Sequence, residues 1–592
     1  MNLLQLLQQT FHDALAGLVP DPAPYAQLVK PAQDARFGDY QANCAMSLVK
    51  VLGGKPRDIA EKIVARLDLG AFLEKPEIAG PGFINLRLRS DWLALQMQRL
   101  GKDARLGVAP APVPRALVID YSSPNVAKPM HVGHLRSTII GDALVRLFRF
   151  LGHTVVTDNH LGDWGTQFGM LLYGYKHFRD EAALQADPVR EMARIYIQVR
   201  NLIAQGEDED ADSAVNPIAE AARQETARLH AGDPENVRLW QMFMPWCREE
   251  IDRIYRRLDV HFDHTFGESF YNPMLPDVVR SLGERGVAQT GEAGALIIRF
   301  GEDSPPAIVQ KGDGAFTYTT TDLATIHYRV EHWHPNAMLY VVDARQAFHF
   351  KNLFEAARRW GYDNVDLEHI SFGSVLGPDR KPIKTREGGA VELNSLLDEA
   401  VQRAAEVYEQ SRKERKERGE DVPDLDIAER AHIAEVVGIG AVKYADLSQN
   451  RTTDYIFNWD KMLAMDGNTA TYMQYAYARI RSIFRKANED PEAFRRLPPQ
   501  PYLEHPNERA LAMQLLRLGE ALEAAGAECK PNAITAYLWD LAKSYSGFYQ
   551  NCPVIKAETP VLRQGRLLLC DLTARAIELG LSLLGIQTVE RM

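Results

Sequence analysis

The residues best suited to chemistry lie between Asp120 and Gly141, in DYSSPNVAKPMHVGHLRSTIIG. A polar loop carries Lys128 and leads into a helical stretch that starts near His131. The unpaired N–H groups and positive dipole end of a helix start attract anions. His131 and His134 stand three apart, so both imidazoles can share one face of the first turn. Gly133 between them leaves the backbone open to a flat ligand ring, and Lys128 adds a positive charge just ahead. Together these fit the triphosphate of ATP, with the histidines donating hydrogen bonds as charge grows at the α-phosphorus. Taken alone, H-x-x-H fits equally a chance pair or half of a metal site. A metal would need further ligands, and no cysteine or H-E-x-x-H context supplies them.

A second pattern lies in TYMQYAYARIRSIFRK, where Tyr472, Tyr475 and Arg479 fall on one helical face. Aromatics beside arginines can stack on splayed single-stranded bases. A helix burying its tyrosines in a bundle would show the same stripe. His327, His332 and His334 in HYRVEHWH follow no standard metal spacing, and Pro335 comes next; they read as surface or partly packed groups.

The elements that must hold these residues follow from periodicity. ALVIDY (Ala116–Tyr121) is a short apolar strand, HLRSTIIGDALVRLFRFLG a helix and TVVTDNH a second strand. Strand, loop, helix, strand is the opening of a parallel α/β sheet. Ala337–Ala344 and His369–Gly377 read as later strands of it, and a charge-rich helical section over about 185–265 reads as an insertion. Upstream, helical periodicity in LLQLLQQTFHDAL, AMSLVKVLGG and PRDIAEKIVARL precedes an alternating strand at Phe83–Leu88, which suggests a small α+β unit. Gly107–Pro114 holds three prolines and suits a linker. Beyond Asn458 only helices are expected, as in a bundle. The expected domains are therefore 1–110, 111–455 and 456–592.

Composition narrows the function class. The chain has 592 residues, 46% hydrophobic and 25% charged, which suits a multidomain globular protein and not a disordered or fibrous one. Five cysteines form no C-x-x-C pair, so neither a disulfide scaffold nor a cysteine zinc site is expected; reduced cytosolic thiols are. The N-terminal stretch has no basic region and does not read as a secretory signal. No run of about 18 apolar residues suggests a membrane span. The net charge of −11 is not that of a generally basic nucleic-acid binder, yet residues 456–592 carry 16 basic against 15 acidic side chains. An RNA would have to be held by local patches and stacking.

HVGH resembles the HIGH signature of class I aminoacyl-tRNA synthetases, and SSPNVAKPMHVGHLRSTIIGD resembles the arginyl-tRNA synthetase form of it. FGDYQANCAMSLVK, IAGPGFIN, DNHLGDWGTQFG, YVVDARQAFHF, DGNTATYMQYAYARIRSI and the terminal ERM are similar to further blocks of that family, in the same order. The resemblance covers essentially the whole chain. It implies a Rossmann-type catalytic domain with a helical insertion, an N-terminal α+β domain that meets the tRNA D-loop and a C-terminal anticodon-binding bundle. It also implies ATP with Mg²⁺, L-arginine and arginine tRNA as substrates and partners, no structural metal, and a cytoplasmic monomer. The second class I signature, KMSKS, is altered to Lys381-Pro382-Ile383-Lys384-Thr385, keeping both lysines; read by itself, the loop at 380–386 is a solvated basic hairpin. In the family a lysine beside the first signature is thought to compensate, which implies Lys128.

The resemblance also implies the arginine pocket. A guanidinium is a planar fork that needs carboxylates placed for paired hydrogen bonds. Glu268 and Asp322 would supply them, with Tyr318 packing on or bonding the fork; Tyr318 and Asp322 are spaced i, i+4. Asp120, Ser123, Asn125 and Gln346 would meet the α-amino and carboxylate ends. Phe83 and Asn85 would meet a D-loop base, and Met592 an anticodon base. Read singly, Asp322 is also a helix surface charge, Glu268 a cap and Phe83 a core residue. Two other readings stand beside this one: another adenylate-forming nucleotidyltransferase, and a non-enzymatic RNA-binding relative of a synthetase.

Overall fold

The computed structural model describes residues 2–205, 216–301, 304–381, 383, 391–419, 422 and 424–592. Its contacts divide into two units, one comprising residues 1–111, 408–440 and 463–592, the other residues 112–407 and 441–462.

In the first unit the amphipathic pattern of the N-terminus does what its period demands. Leu3, Leu7, Phe11 and Leu15 of helix Leu3–Leu15 are fully buried. The antiparallel strands β1 (Val29–Pro31), β2 (Tyr40–Ala42), β3 (Glu77–Ala79) and β4 (Phe83–Leu86) pair in the order β1-β2-β4-β3. The C-terminal segment is helical, with helices Ala470–Ala487, Pro506–Leu516, Leu518–Ala527, Asn532–Asn551 and Pro560–Leu583. Two polar contacts tie the sheet to these helices. Arg509 forks onto both oxygens of Asp39, each at 2.7 Å, and the Tyr40 hydroxyl donates to Glu520 at 2.6 Å.

The second unit is built on a parallel sheet. β5 (Ala116–Asp120) lies beside β6 (Thr154–Asp158), reached through helix Val132–Phe150. Helices from Thr166 to Leu258 follow, and then a small antiparallel sheet of β7 (Gln289–Thr290), β8 (Leu296–Ile298) and β9 (Ala307–Gln310). Helix Tyr318–Trp333 leads to β10 (Ala337–Tyr340), which pairs with the other edge of β5, and β11 (Asp366–His369) completes the order β11-β10-β5-β6. β5 thus leaves toward one neighbour and is joined from the other side later. The crevice at the carboxyl ends of such strands is where open α/β sheets bind ligands.

One expected strand is corrected. His369–Gly377 is not continuous: β11 ends at His369, and a separate β12 (Val375–Leu376) pairs with β13 (Tyr455–Ile456). The interruption has a cause. Between the two strands, Gly373 turns to other partners: its carbonyl accepts from the Arg136 guanidinium at 2.7 Å and its N–H donates to the Arg451 carbonyl at 2.9 Å.

Candidate functional site

Helix Val132–Phe150 starts at the carboxyl end of β5 and is held there by buried groups. Arg136 is 1% exposed; its Nε lies 3.1 Å from the Asp446 carboxylate and its Nη1 donates to the Gly373 and Thr453 carbonyls. Ser137 Oγ donates to Val341 O at 2.6 Å and accepts the Ser122 N–H. At Gly141 a Cβ would sit 2.2 Å from Tyr121 Cγ, so only glycine lets helix and strand end approach this closely.

His131 is the N-cap of this helix, not a residue of its first turn as the spacing suggests. Its Nδ1 accepts the Gly133 N–H at 3.0 Å, while its own N–H donates to His134 Nδ1 at 3.1 Å, closing a capping box. Both rings therefore carry their proton on Nε2, the nitrogen left free to donate. The ring centroids are 4.1 Å apart. Burial, and then Lys128, lowers the His131 pKa; burial, and then His131, pushes His134 down to about 4. Two neutral imidazoles result at neutral pH. Gly133 has a different reason from the expected one: a Cβ there would lie 2.7 Å from His131 Cε1, so glycine makes room for the capping ring. Lys128 sits half-buried ahead of the helix, its pKa lowered by burial and then by Arg200. Lys381 is exposed in a turn in which the Gly377 N–H donates to the Lys381 carbonyl at 2.7 Å. Lys384 and most of the remaining loop lie outside the described residues.

The sheet edge supplies the acids. Asp120 ends β5 opposite Asp158 of β6, and Arg329 of helix Tyr318–Trp333 joins them. Arg329 is 0% exposed and donates to Asp120 at 2.6 Å and to Asp158 at 3.0 Å. Burial works against its charge, but the two carboxylates outweigh it and raise its pKa well above the ordinary value. Asp120 also accepts from Ser123 Oγ at 2.9 Å. Ser122 and Ser123 have φ of 72° and 46°, the left-handed region that costs a non-glycine residue energy. Ser123 N–H donates to Asn159, and Asn125 donates to Gln167 at 3.2 Å.

Tyr318 and Asp322 share the first two turns of helix Tyr318–Trp333, as the i, i+4 spacing expects. Tyr318 is 69% exposed. Asp322 accepts from His349 Nε2 at 2.7 Å, and the His349 ring meets the edge of Tyr318 at 5.0 Å. Glu268 opens the short helix Glu268–Tyr271, and its N–H donates to Leu161 O at 3.0 Å. Burial raises its pKa; His160 opposes this, and Asp163 and Asp322 add to it. The Leu161 loop is clamped by the insertion: Trp164 stacks on His230 at 5.3 Å, and Trp240 donates to Asp163 O at 2.9 Å. Gln346 is exposed at the end of the turn Ala344–Gln346.

Arg329, Asp158 and His349 were not legible as site residues. Arg329 follows Asp322 by two helical turns, which places it on the same helix, but its partners come from two distant strands. His349 stands in the quoted YVVDARQAFHF block without any spacing that marks it.

In the first unit a cleft of about 570 Å³ brings together Tyr475, Arg479 and Met592 with Arg415, Arg485 and Tyr549. Arg479 lies over the Tyr549 ring at 4.2 Å. Tyr472 instead bonds Ser546 at 2.9 Å and meets Trp539 edge-on. Phe83 is half-buried on β4, while Asn85 is buried and accepts from Gln41 at 2.7 Å.

Three family models match the chain: the tRNA synthetases class I (R) catalytic domain over residues 97–459, the DALR anticodon binding domain over 473–592 and the arginyl tRNA synthetase N terminal domain over 5–88. The chain is 46% identical to the arginine–tRNA ligase of a Nostoc species, over all of this chain and 98% of that one. It is 43% identical to the arginine–tRNA ligase of Rhodopirellula baltica over the full length of both. The solved arginyl-tRNA synthetase of Thermus thermophilus superposes with a TM-score of 0.81 at 25% identity, covering all of both chains. Three matched segments that together reach from residue 5 to residue 592, and relatives 43% and 46% identical over this whole chain, show that the chain belongs to the arginyl-tRNA synthetase family of class I.

Proposed function

We propose that this chain is an arginine–tRNA ligase that works by holding and neutralising its substrates. The arginine carboxylate attacks the α-phosphorus of ATP in line, the bond to the β-phosphate oxygen breaks, and arginyl-adenylate and pyrophosphate form. The 2′-hydroxyl of the terminal adenosine of arginine tRNA then attacks the adenylate carbonyl, and AMP leaves. Neither step needs a covalent intermediate on the protein; positioning and charge stabilisation carry both. ATP enters as its Mg²⁺ complex, the ion travelling with the substrate.

The observation that carries this reading is the pair of Nε2 donors at His131 and His134, set at the start of the helix that follows β5. With both Nδ1 atoms accepting in the capping box, each neutral ring presents an Nε2–H that can donate to a phosphate oxygen. Lys128, Lys381 and Lys384 add charge around the triphosphate, and Gly133 leaves room for the capping ring of His131. Asp322 and Glu268 take the guanidinium, with Tyr318 against it. Asp120, Ser123, Asn125 and Gln346 take the α-amino and carboxylate ends. A lysine side chain cannot fill both carboxylates with a planar fork, and sites built on hydrogen bonds reject the deficient analogue by roughly 10⁴-fold. Tyr475, Arg479 and Met592 line the basic cleft for anticodon bases, with Tyr472 on the same helix; Phe83 and Asn85 face the D-loop. This reading includes a monomer working in the cytoplasm.

Arginine-dependent ATP–pyrophosphate exchange, with and without tRNA, tests it. Asp322→Ala removes one partner of a charged pair, which costs roughly 2–5 kcal/mol in comparable contacts. The KM for arginine is therefore expected to rise by about 30-fold or more, with the KM for ATP nearly unchanged. No exchange under either condition refutes the ligase reading; equal losses for both substrates in Asp322→Ala refute the role given to Asp322.

A further inference from the structure

We infer that His349 is a positioning residue for arginine selection: it holds the Asp322 carboxylate, and through it the guanidinium, in a fixed orientation. This rests on the reading of Asp322 as a guanidinium acceptor.

Asp322 stands one turn into its helix with its side chain 30% exposed, where a carboxylate would otherwise turn freely between rotamers. Among the described residues, His349 is its one side-chain hydrogen-bond partner, Nε2 donating to Oδ2 at 2.7 Å. That bond engages one oxygen and fixes the plane of the group. Oδ1 and the remaining lone pair of Oδ2 stay available to N–H donors. His349 is itself held. It lies in the first turn of helix Ala347–Trp360, with its side chain 20% exposed. Its ring meets Tyr318 at 5.0 Å and Phe350 at 5.3 Å, both edge-on. One side chain therefore touches both helix residues assigned to the arginine pocket. The same turn begins next to Gln346, so the element that presents Gln346 also anchors Asp322.

The physical consequence is preorganisation. A bidentate contact between guanidinium and carboxylate is planar, so the cost of freezing the carboxylate falls on binding unless another group has already frozen it. Arginine benefits, because its fork reads the plane. In this reading ATP makes no contact with this group. A group that merely stabilised the fold would affect both substrates alike.

The test is arginine-dependent pyrophosphate exchange in the presence of tRNA, varying arginine and ATP separately, for His349→Ala, His349→Gln, His349→Phe and Asp322→Asn. His349→Ala is expected to raise the KM for arginine about tenfold, the worth of one hydrogen bond to a charged group, with kcat and the KM for ATP within about twofold. His349→Gln, which keeps a donor at similar reach, restores most of the loss. His349→Phe keeps the ring contact but lacks the donor, and stays impaired. Should the alanine variant fail to fold, the contrast between Gln and Phe decides. Equal losses in all parameters, or an unchanged arginine KM in His349→Ala and His349→Phe while Asp322→Asn is impaired, overturns the positioning role alone. An Asp322→Asn enzyme with normal arginine use overturns the pocket assignment and the inference together.

Discussion

Replacing Arg329 by leucine should be among the most damaging single changes in the parallel-sheet unit. The side chain is fully buried, and its guanidinium reaches Asp120 at 2.6 Å and Asp158 at 3.0 Å, with Cζ 5.5 Å from the centre of the Tyr340 ring. At an effective dielectric of 20, each contact at such a separation is worth about 6 kcal/mol of Coulomb attraction before desolvation. Breaking a buried pair by deleting one partner costs about 3–5 kcal/mol in measured cases, because the remaining charge is stranded. Here two carboxylates are stranded side by side, since Asp120 and Asp158 are register partners on adjacent strands. The upper part of that range is therefore expected. Urea unfolding followed by tryptophan fluorescence measures it. Adding Asp158→Asn to Arg329→Leu removes one stranded charge and should recover about 1–3 kcal/mol relative to additive behaviour. Arginine-dependent exchange should fall in the single variant, since Asp120 loses the group that orients it. A loss below about 1 kcal/mol, or a double variant that is additive within about 0.5 kcal/mol, would show that the triad does not hold the sheet edge and would refute the reasoning.

Two further outcomes follow from the capped histidines. Gly133→Ala places a methyl group 2.7 Å from His131 Cε1, so the ring must leave its cap; kcat/KM for ATP should drop by at least about tenfold while arginine binding to the free enzyme, followed by calorimetry, stays within about twofold. Unchanged ATP kinetics would mean that the ring's seat is unimportant. His134 has a pKa of about 4 in the folded chain against roughly 6.5 when unfolded. Between these values the unfolded chain binds the proton and the folded one does not. Its stabilising contribution is complete above about 6.5 and is lost as pH falls through about 4. His134→Gln keeps an acceptor for the His131 N–H but does not titrate, so its urea midpoint should fall less than the parent's between pH 7 and pH 4.5. Parallel pH slopes in the two proteins would contradict the burial argument.

The amphipathic N-terminal helix, the opening strand–helix–strand of the parallel sheet and the all-helical C-terminus were readable from the chain because each rests on local period. Leu3, Leu7 and Phe11 bury one stripe; Ala116–Asp120 is a near-continuous apolar run, as in strands covered on both faces, and β-branched residues mark Thr154–Asp158 as a strand. The i, i+4 placement of Tyr318 and Asp322 was readable for the same reason. The break between β11 and β12 was not, because the groups that Gly373 bonds there, the Arg136 guanidinium and the Arg451 carbonyl, come from distant parts of the chain. His131 looked like a helix residue and is a cap, since a cap is defined by where two N–H groups point and not by spacing. Arg329 and His349 show the limit most clearly. What makes each part of the site is a carboxylate brought to it from another strand or helix. Charge pairing is a through-space force with no sequence period, so residue types along the chain announce which chemistry is available, while the packing of β5, β6 and their covering helices decides which groups meet.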